Sequence, residues 1–190
     1  MERSPLPFGE RPTSEARRVR GDQKIFTTSS IFISSAGIFV LTLCWISLSF
    51  LRDQSPKWVI MLLLIVWIAD TAAYFTGRRF GKHFLAPQIS PKKTWEGAFG
   101  AGVAVFAMIL IGGWLMGLKA TLLIYLTLLG LATTFISIIG DLFESLLKRH
   151  AGIKDSGQLL PGHGGLLDRI DSLIAAAPFF AGGISLLQYL

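Results

Sequence analysis

The chain alternates between long uncharged apolar stretches and shorter segments that collect nearly all of its ionisable residues. A helix needs about 20 apolar residues to cross a bilayer, and lipid offers no partner to unpaired backbone groups, so each long stretch predicts a membrane-spanning helix. The stretches lack the polar stripe that a buried helix of a large soluble domain would show. The predicted spans are residues 31–51, 58–77, 97–118, 120–140 and 172–190.

The positions of Lys and Arg indicate how the predicted spans are oriented. Of the 18 such residues, six precede the first span, five lie between the second and third, and four lie between the fourth and fifth, against three on the opposite side. Positive residues concentrate on the cytoplasmic side of membrane proteins. We therefore expect an all-α, polytopic integral membrane protein with about five transmembrane helices, a cytoplasmic N-terminus and two cytoplasmic motif loops.

Composition narrows the class of protein further. Of the 190 residues, 52% are hydrophobic and 16% are charged, with a mean hydropathy of +0.56, which excludes a disordered chain and does not fit an ordinary soluble domain. The single cysteine, Cys44, excludes an intramolecular disulfide and a Cys-rich metal site. The net charge of +6 is explained by the cytoplasmic loops, so no nucleic-acid partner is expected. We interpret residues 1–30 as a polar, flexible cytoplasmic leader and 31–190 as the membrane-embedded domain.

Asp70 is the one charge inside a predicted span. It precedes Gly77 by seven residues, which places it on the order of 10 Å from the cytoplasmic end of its helix at about 1.5 Å per residue. A carboxylate at that depth is costly and generally faces a polar cavity or a partner. Arg78 and Arg79 are the candidate partners.

Ser90 and Pro91 have the form of a helix start, with Ser as the cap and Pro at the first helical position. This pattern predicts that Lys92, Lys93 and Thr94 lie in the first turn, where free amide groups, two ammonium groups and a hydroxyl suit a bound phosphate. Lysines that meet anionic lipid headgroups at the membrane surface explain the segment equally well.

The second polar segment, residues 140–171, holds three acids that suggest a metal site. Asp168 and Asp171 lie three residues apart where the fifth span begins, and like charges at that spacing repel. Carboxylates without a cysteine cluster suit a hard cation, so we expect Asp141, Asp168 and Asp171 to bind Mg²⁺. Compensation of the helix dipole, with a salt bridge to Arg169, is the alternative.

Other residues of this segment add charge and close backbone approach. If the fourth span continues past residue 140, then Asp141, Glu144 or Ser145, and Lys148 follow along one helical face. The segment also contains a glycine-rich turn at 161–165, whose glycines let backbone approach a bound group closely. The basic residues that supply charge for phosphate are Lys148, Arg149, Lys154 and Arg169.

Three segments together resemble the phosphatidate cytidylyltransferase family, also called CDP-diacylglycerol synthases. The resemblance extends from about the second span to the C-terminus. It rests on Asp70-x-x-Ala73-Tyr74, on Ser90-Pro91-Lys92-Lys93-Thr94-Trp95-Glu96-Gly97, and on Ser145-x-Leu147-Lys148-Arg149-x4-Lys154-Asp155-x-Gly157-x2-Leu160-Pro161-x-His163-Gly164-Gly165-Leu166-x-Asp168-Arg169-Ile170-Asp171.

The resemblance implies an enzyme of phospholipid biosynthesis in the bacterial inner membrane. It would transfer CMP from CTP to phosphatidic acid and release pyrophosphate, with Mg²⁺ and a monovalent cation such as K⁺ beside it. The candidate catalytic residues are Asp141, Asp168, Asp171 and Lys154. The candidate substrate-binding residues are Ser90, Lys92, Lys93, Thr94, Lys148, Arg149, Asp155, His163, Gly164, Gly165 and Arg169. Family members are usually longer, so we expect a short form or one lacking the usual N-terminal helices.

The sequence leaves three alternative functions to compare with this one. A transporter would place charges on several spans, whereas only one span carries one. A CDP-alcohol phosphatidyltransferase would show a different Asp/Gly/Arg spacing. An inactive or truncated family member acting as a membrane partner is the third. The small-residue run 97–102 permits close helix packing, either in a homodimer or within one chain.

Overall fold

The structure, a computed structural model, describes residues 35, 37–87, 89–150 and 170–187. The chain divides into two compact units, residues 1–41 and 42–190. The described residues of the first unit are helical. The predicted leader, residues 1–30, lies outside the described residues.

The described residues of the second unit form helices and one short β-hairpin. Helix α1 denotes its helical residues 42–54. The remaining elements are α2 (Pro56–Phe80), β1 (Phe84–Ala86), β2 (Ser90–Thr94), α3 (Trp95–Leu115), α4 (Ala120–His150) and α5 (Asp171–Leu187). The predicted helical fold class is thus confirmed, and the hairpin is an addition to it.

Three of these helices are long and apolar enough to cross a membrane, namely α2, α3 and residues 120–148 of α4. Helix α5 is apolar but shorter, with 17 residues. The first and last predicted spans reach beyond the described residues at 31–34 and 188–190. The count of five spans therefore stays a prediction.

The Ser90–Pro91 helix start is wrong. Residues 90–94 form strand β2, which pairs antiparallel with β1, so that Phe84 lies opposite Thr94 and Ala86 opposite Ser90. Helix α3 begins four residues later than predicted, after Thr94, whose hydroxyl accepts a hydrogen bond from the Gly97 amide at 3.1 Å. The base of the hairpin is closed by His83, whose Nδ1 lies 2.7 Å from Glu96 Oε1.

Small residues bring α2 and α3 close together near the hairpin. A methyl group added to Gly97 would lie 2.9 Å from the carbonyl oxygen of Ala73, and one added to Gly77 would lie 2.9 Å from Thr94 Oγ1. Gly100 faces Thr76 of α2 in the same way. The small residues of the 97–102 run therefore serve packing within the chain at these positions.

Replacing Gly97 by Ala is expected to lower the free energy of unfolding by about 1–3 kcal/mol, because a backbone oxygen would have to move. Thermal unfolding in detergent, followed by circular dichroism, measures the change. Gly112→Ala on the same helix is the matched control, since no heavy atom lies within 4 Å of its added methyl group. Equal stability of the two variants would contradict this account of the α2–α3 contact.

Helix α4 continues without interruption past Gly140 to His150, which meets the condition for Asp141, Glu144 and Lys148 to share one helical face. Its threonines are tolerated in an apolar helix because their hydroxyls donate to backbone carbonyls one turn earlier, as Thr133 does to Leu129 at 2.7 Å. Gly140 lets α5 approach closely, since a methyl group there would collide with Ala175. This contact brings the start of α5 beside the polar end of α4.

Candidate functional site

A polar pocket of about 330 Å³ lies where α2, the hairpin, α3 and α4 meet. It brings together side chains that are far apart in sequence, including four of the predicted substrate-binding residues and one predicted metal ligand. Its lining consists of Asp70, Ala73, Tyr74, Leu85, Ser90, Lys92, Lys93, Thr94, Gly97, Ala98, Ile138 and Asp141.

An ion pair between Lys93 and Asp141 joins the hairpin to α4 across the polar pocket. Each of the two side chains is 25% exposed, so water reaches the pair without surrounding it. In a partly buried ion pair each charge compensates the other, so neither is left unpaired where water is scarce. Lys92, the neighbouring cation, is exposed. The pocket thus offers one ammonium group held by a carboxylate and a second one open to solvent.

Asp70 faces the same charges from α2. It interacts electrostatically with Lys93 and with Asp141, and Ser172 of α5 lies within hydrogen-bonding reach of it. The candidate partners Arg78 and Arg79 are not among the groups that interact with Asp70 in the described part of the chain, and Arg78 donates from Nη1 to the Tyr74 hydroxyl at 3.0 Å. The hairpin supplies the partner instead, and the sequence pattern gave no sign that it would fold back over α2.

A second group of acids adjoins the polar pocket at the start of α5. Asp171 Oδ1 accepts a hydrogen bond from the Ser172 amide at 2.6 Å, which fixes the carboxylate at the first turn. Asp171 is close enough to Asp141 and Glu144 for mutual repulsion and to Lys148 for attraction. Lys148 Nζ also contacts Glu144 Oε1 at 2.9 Å, one turn away on α4. The predicted helical face of acids and a base is thereby confirmed.

One carboxylate oxygen in this group is unsatisfied. Glu144 Oε2 is buried and has no hydrogen-bond partner among the described residues. Buried acceptors without a partner are costly, and they frequently mark the place of a water molecule or an ion.

Thr94 contributes to the site mainly by holding the start of α3 and the neighbouring end of α2 in place. It is 8% exposed, and its hydroxyl caps α3 while its side chain fills the space between Gly77 and Gly81. The hydroxyl proton is still available for a bound group, because accepting a hydrogen bond uses only a lone pair.

Replacing Thr94 by Val is expected to lower the free energy of unfolding by about 1 kcal/mol, since the first turn of α3 loses its cap. Thermal unfolding in detergent again gives the measurement. Thr94→Ser should recover most of the loss, and Thr121→Val, at an exposed site in α4, should have little effect. A Thr94→Val protein as stable as the parent would show that the cap is unimportant.

Several predicted site residues cannot be placed in this geometry. Those outside the described residues are Lys154, Asp155, His163, Gly164, Gly165, Asp168 and Arg169, and the side chain of Arg149 is outside them as well. In the part of the chain that is described, no three His, Cys, Asp or Glu side chains are close enough to hold a metal ion. Two of the three predicted metal ligands, Asp141 and Asp171, do lie within electrostatic range of each other.

Seven of the twelve residues that line the pocket were not among the predicted site residues, and Tyr74 and Leu85 illustrate why. Tyr74 lies one turn after Asp70 on α2, so helical spacing from that intramembrane acid could have identified it. Leu85 lies in a three-residue strand, which is too short to show any periodicity.

Comparison with known sequences decides the family. The profile of the cytidylyltransferase family matches residues 16–187, which include every element around the polar pocket. The chain belongs to the cytidylyltransferase family. Membership accounts for the resemblance of the motif segments and agrees with the apolar helices.

Curated relatives of this cytidylyltransferase-family chain are bacterial proteins named phosphatidate cytidylyltransferase. One from Pseudomonas aeruginosa is 48% identical over 148 residues, which cover 76% of this chain and 54% of that protein. One from Haemophilus influenzae is 49% identical over 128 residues, covering 65% and 44%. One from Staphylococcus epidermidis is 40% identical over 151 residues, covering 75% and 56%. The chain thus spans about half the length of the curated relatives it matches.

Proposed function

We propose that this chain transfers CMP from CTP to phosphatidic acid, forming CDP-diacylglycerol and pyrophosphate. The names of its relatives support the reaction. The observation that carries the proposal is the polar pocket, in which lysines and acids from α2, the hairpin and α4 converge beside helices long enough to span a membrane.

The reaction does not require a nucleophilic triad in the protein. The attacking group is a phosphate oxygen of phosphatidic acid, which is largely ionised at neutral pH because the second pKa of a phosphate monoester is about 6. That oxygen forms a bond to the α-phosphorus of CTP while the bond from the α-phosphorus to the oxygen bridging to the β-phosphorus breaks. Positioning two anionic substrates and neutralising their charge is then the main task of the protein.

Lysines of the hairpin perform part of that task. Lys92 is exposed and meets a phosphate directly, whereas Lys93 reaches one by exchanging its carboxylate partner for the substrate. Ser90 and Thr94, on the same wall, add hydroxyl donors. Lys148, Arg149, Lys154 and Arg169 supply further positive charge for the phosphates.

The glycine-rich turn and its neighbours complete the substrate site. Asp155, His163, Gly164 and Gly165 are assigned to substrate binding, and the glycines would permit close approach of backbone to a bound group. Their contribution rests on the resemblance of the motif, since they lie outside the described residues.

The residues around Asp141 fit a magnesium ion. Asp141 already attracts the ammonium group of Lys93, and Glu144 Oε2 is a buried oxygen with no hydrogen-bond partner in the described part of the chain. The available donors are oxygens, which Mg²⁺ prefers. Asp141, Asp168 and Asp171 would hold the ion, and a monovalent cation such as K⁺ would lie beside it. A bound Mg²⁺ supplies charge neutralisation at the phosphates.

The proposed reaction also determines the orientation in the membrane. Phosphatidic acid keeps its acyl chains in the bilayer, and CTP arrives from the cytoplasm. The polar pocket and the N-terminus are therefore assigned to the cytoplasmic side of the bacterial inner membrane, as the distribution of Lys and Arg predicts. A homodimer stays a prediction.

A turnover assay tests the proposal. Purified chain in detergent is given CTP, phosphatidic acid and Mg²⁺, and CDP-diacylglycerol and pyrophosphate are measured with and without the metal. Equal, metal-dependent amounts of both products are expected. Folded protein that binds CTP and forms neither product would contradict the proposal for this chain.

A further inference from the structure

An apolar groove of about 590 Å³ runs between α3 and α4. Its walls carry exposed aromatic and aliphatic side chains, among them Phe99, Phe106 and Phe135. The hydroxyl of Thr134, which also lines the groove, is satisfied by the Gly130 carbonyl at 2.9 Å. The Thr134 hydroxyl proton is therefore already used within α4, and the apolar groove suits a hydrocarbon chain.

The apolar groove adjoins the polar pocket, because Leu85, Ala98 and Ile138 line both spaces. One molecule lying over these shared residues would reach from the groove into the pocket. On the polar side, Lys93 pairs with Asp141, and the exposed Lys92 offers a further ammonium group. A ligand that fills both spaces therefore combines a polar head with an apolar tail, and Lys92 favours an anionic head.

The length of the apolar groove matches one leaflet of a bilayer. Its α3 wall extends from Trp95 to Phe106, which is about 16 Å along the helix at about 1.5 Å per residue. The hydrocarbon core of a membrane is about 30 Å thick, so a lipid chain anchored at one surface reaches to about half that depth. The groove begins beside the polar pocket, where the head of such a lipid would lie.

We propose that the apolar groove holds an acyl chain of the phosphatidic acid whose phosphate lies in the polar pocket. The assignment rests on the proposed function for the identity of the lipid and adds the path of its chain. An apolar helix, whether from another protein or from a second copy, would fill the groove but would not supply an anion to the lysines. The adjacency of the apolar groove to the lysines of the polar pocket therefore favours a lipid with an anionic head.

Gly102 provides a way to block the groove. It lies on the groove wall, and a methyl group added there would meet only Leu131 Cδ2, at 3.9 Å. A larger side chain at this position would enter the groove without pressing on backbone. Gly112, on the same helix, has no heavy atom within 4 Å of its added methyl group and does not line the groove, which makes Gly112→Phe the matched control.

The test is photo-crosslinking with a phosphatidic acid that carries a diazirine near the end of one acyl chain. The full chain is reconstituted in phosphatidylcholine nanodiscs without CTP, and labelled residues are mapped by mass spectrometry. We expect label on Phe99, Val103, Phe106 and Phe135, competition by unlabelled phosphatidic acid but not by diacylglycerol, and about tenfold less label in Gly102→Phe than in Gly112→Phe.

Each alternative occupant of the apolar groove gives a result that would overturn the inference. Equal competition by diacylglycerol, or label spread evenly to Trp114 and other lipid-facing residues, would show ordinary boundary lipid. An unlabelled groove, with crosslinks between copies, would show a protein partner.

The labelling experiment is independent of catalysis. Labelled groove residues in a chain that forms no product would support the lipid site and contradict the proposed reaction. Product formation by a chain whose label lies outside the groove would support the proposed reaction and contradict the lipid site. Mapping the unmodified chain also answers the question if Gly102→Phe fails to fold.

Discussion

Replacing Asp141 by Asn is expected to lower CDP-diacylglycerol formation on the order of 100- to 1,000-fold. Asp141 is the carboxylate that lies between the polar pocket and the acids at the start of α5, and it attracts Lys93. Asn keeps the size of the side chain and removes its charge. Loss of one preorganised electrostatic group at a phosphate-transfer centre commonly has an effect of this size. Initial rates over a range of Mg²⁺ concentrations give the measurement.

Two further variants separate a metal role from a general loss of charge. Asp171→Asn should show a similar defect, and any residual activity of both variants should need more Mg²⁺. Asp53→Asn removes a carboxylate that is 66% exposed and pairs with its neighbour Arg52, so its rate should be unchanged. Near-normal turnover in both Asp141→Asn and Asp171→Asn would refute the metal assignment.

Replacing Lys93 by Met is expected to lower kcat/KM about 10- to 100-fold. A hydrogen bond to a charged group contributes about 1.5–3 kcal/mol, and each 1.36 kcal/mol corresponds to a factor of about ten in rate. Met preserves the length of the side chain and removes the ammonium group. The loss should be largest in the KM of the substrate whose phosphate Lys93 contacts, which steady-state kinetics with each substrate varied in turn will identify.

The control for Lys93→Met is Lys57→Met. Lys57 is an exposed cation in the first turn of α2, at the end of that helix that lies away from the polar pocket. Its kinetics should match the parent chain. Lys93→Met must also unfold at a temperature close to that of the parent, since otherwise the defect would reflect the broken pair with Asp141. A folded Lys93→Met protein with unaltered kcat/KM would remove Lys93 from the substrate site.

Two Ser-Pro pairs among the described residues show how far local sequence predicts this fold. Ser55 caps α2 and Pro56 is its first residue, with Ser55 Oγ accepting from the Lys57 amide at 3.4 Å and an apolar run following. Ser90 and Pro91 have the same local form but belong to a strand. The difference lies in pairing with β1 and in a second cap residue, Thr94, that begins α3 directly before its apolar run.

The site was predictable where its residues share a helix and unpredictable where elements meet. The face of α4 that carries Asp141, Glu144 and Lys148 follows from spacing alone, and the structure confirms it. The neighbours of Asp70 depend on the hairpin and on α5, which no local pattern positions. Nearby arginines were therefore the wrong partners, even though the need for a polar environment was correctly inferred.

Transfer of CMP to the lipid can be followed directly by labelling CTP at its α-phosphorus or at its γ-phosphorus. Purified chain in detergent is incubated with phosphatidic acid, Mg²⁺ and CTP labelled either at the α-phosphorus or at the γ-phosphorus. The account predicts that α-label appears in CDP-diacylglycerol and γ-label in pyrophosphate, in equal molar amounts. Transfer of γ-label to the lipid, or hydrolysis of CTP without any labelled lipid, would contradict it.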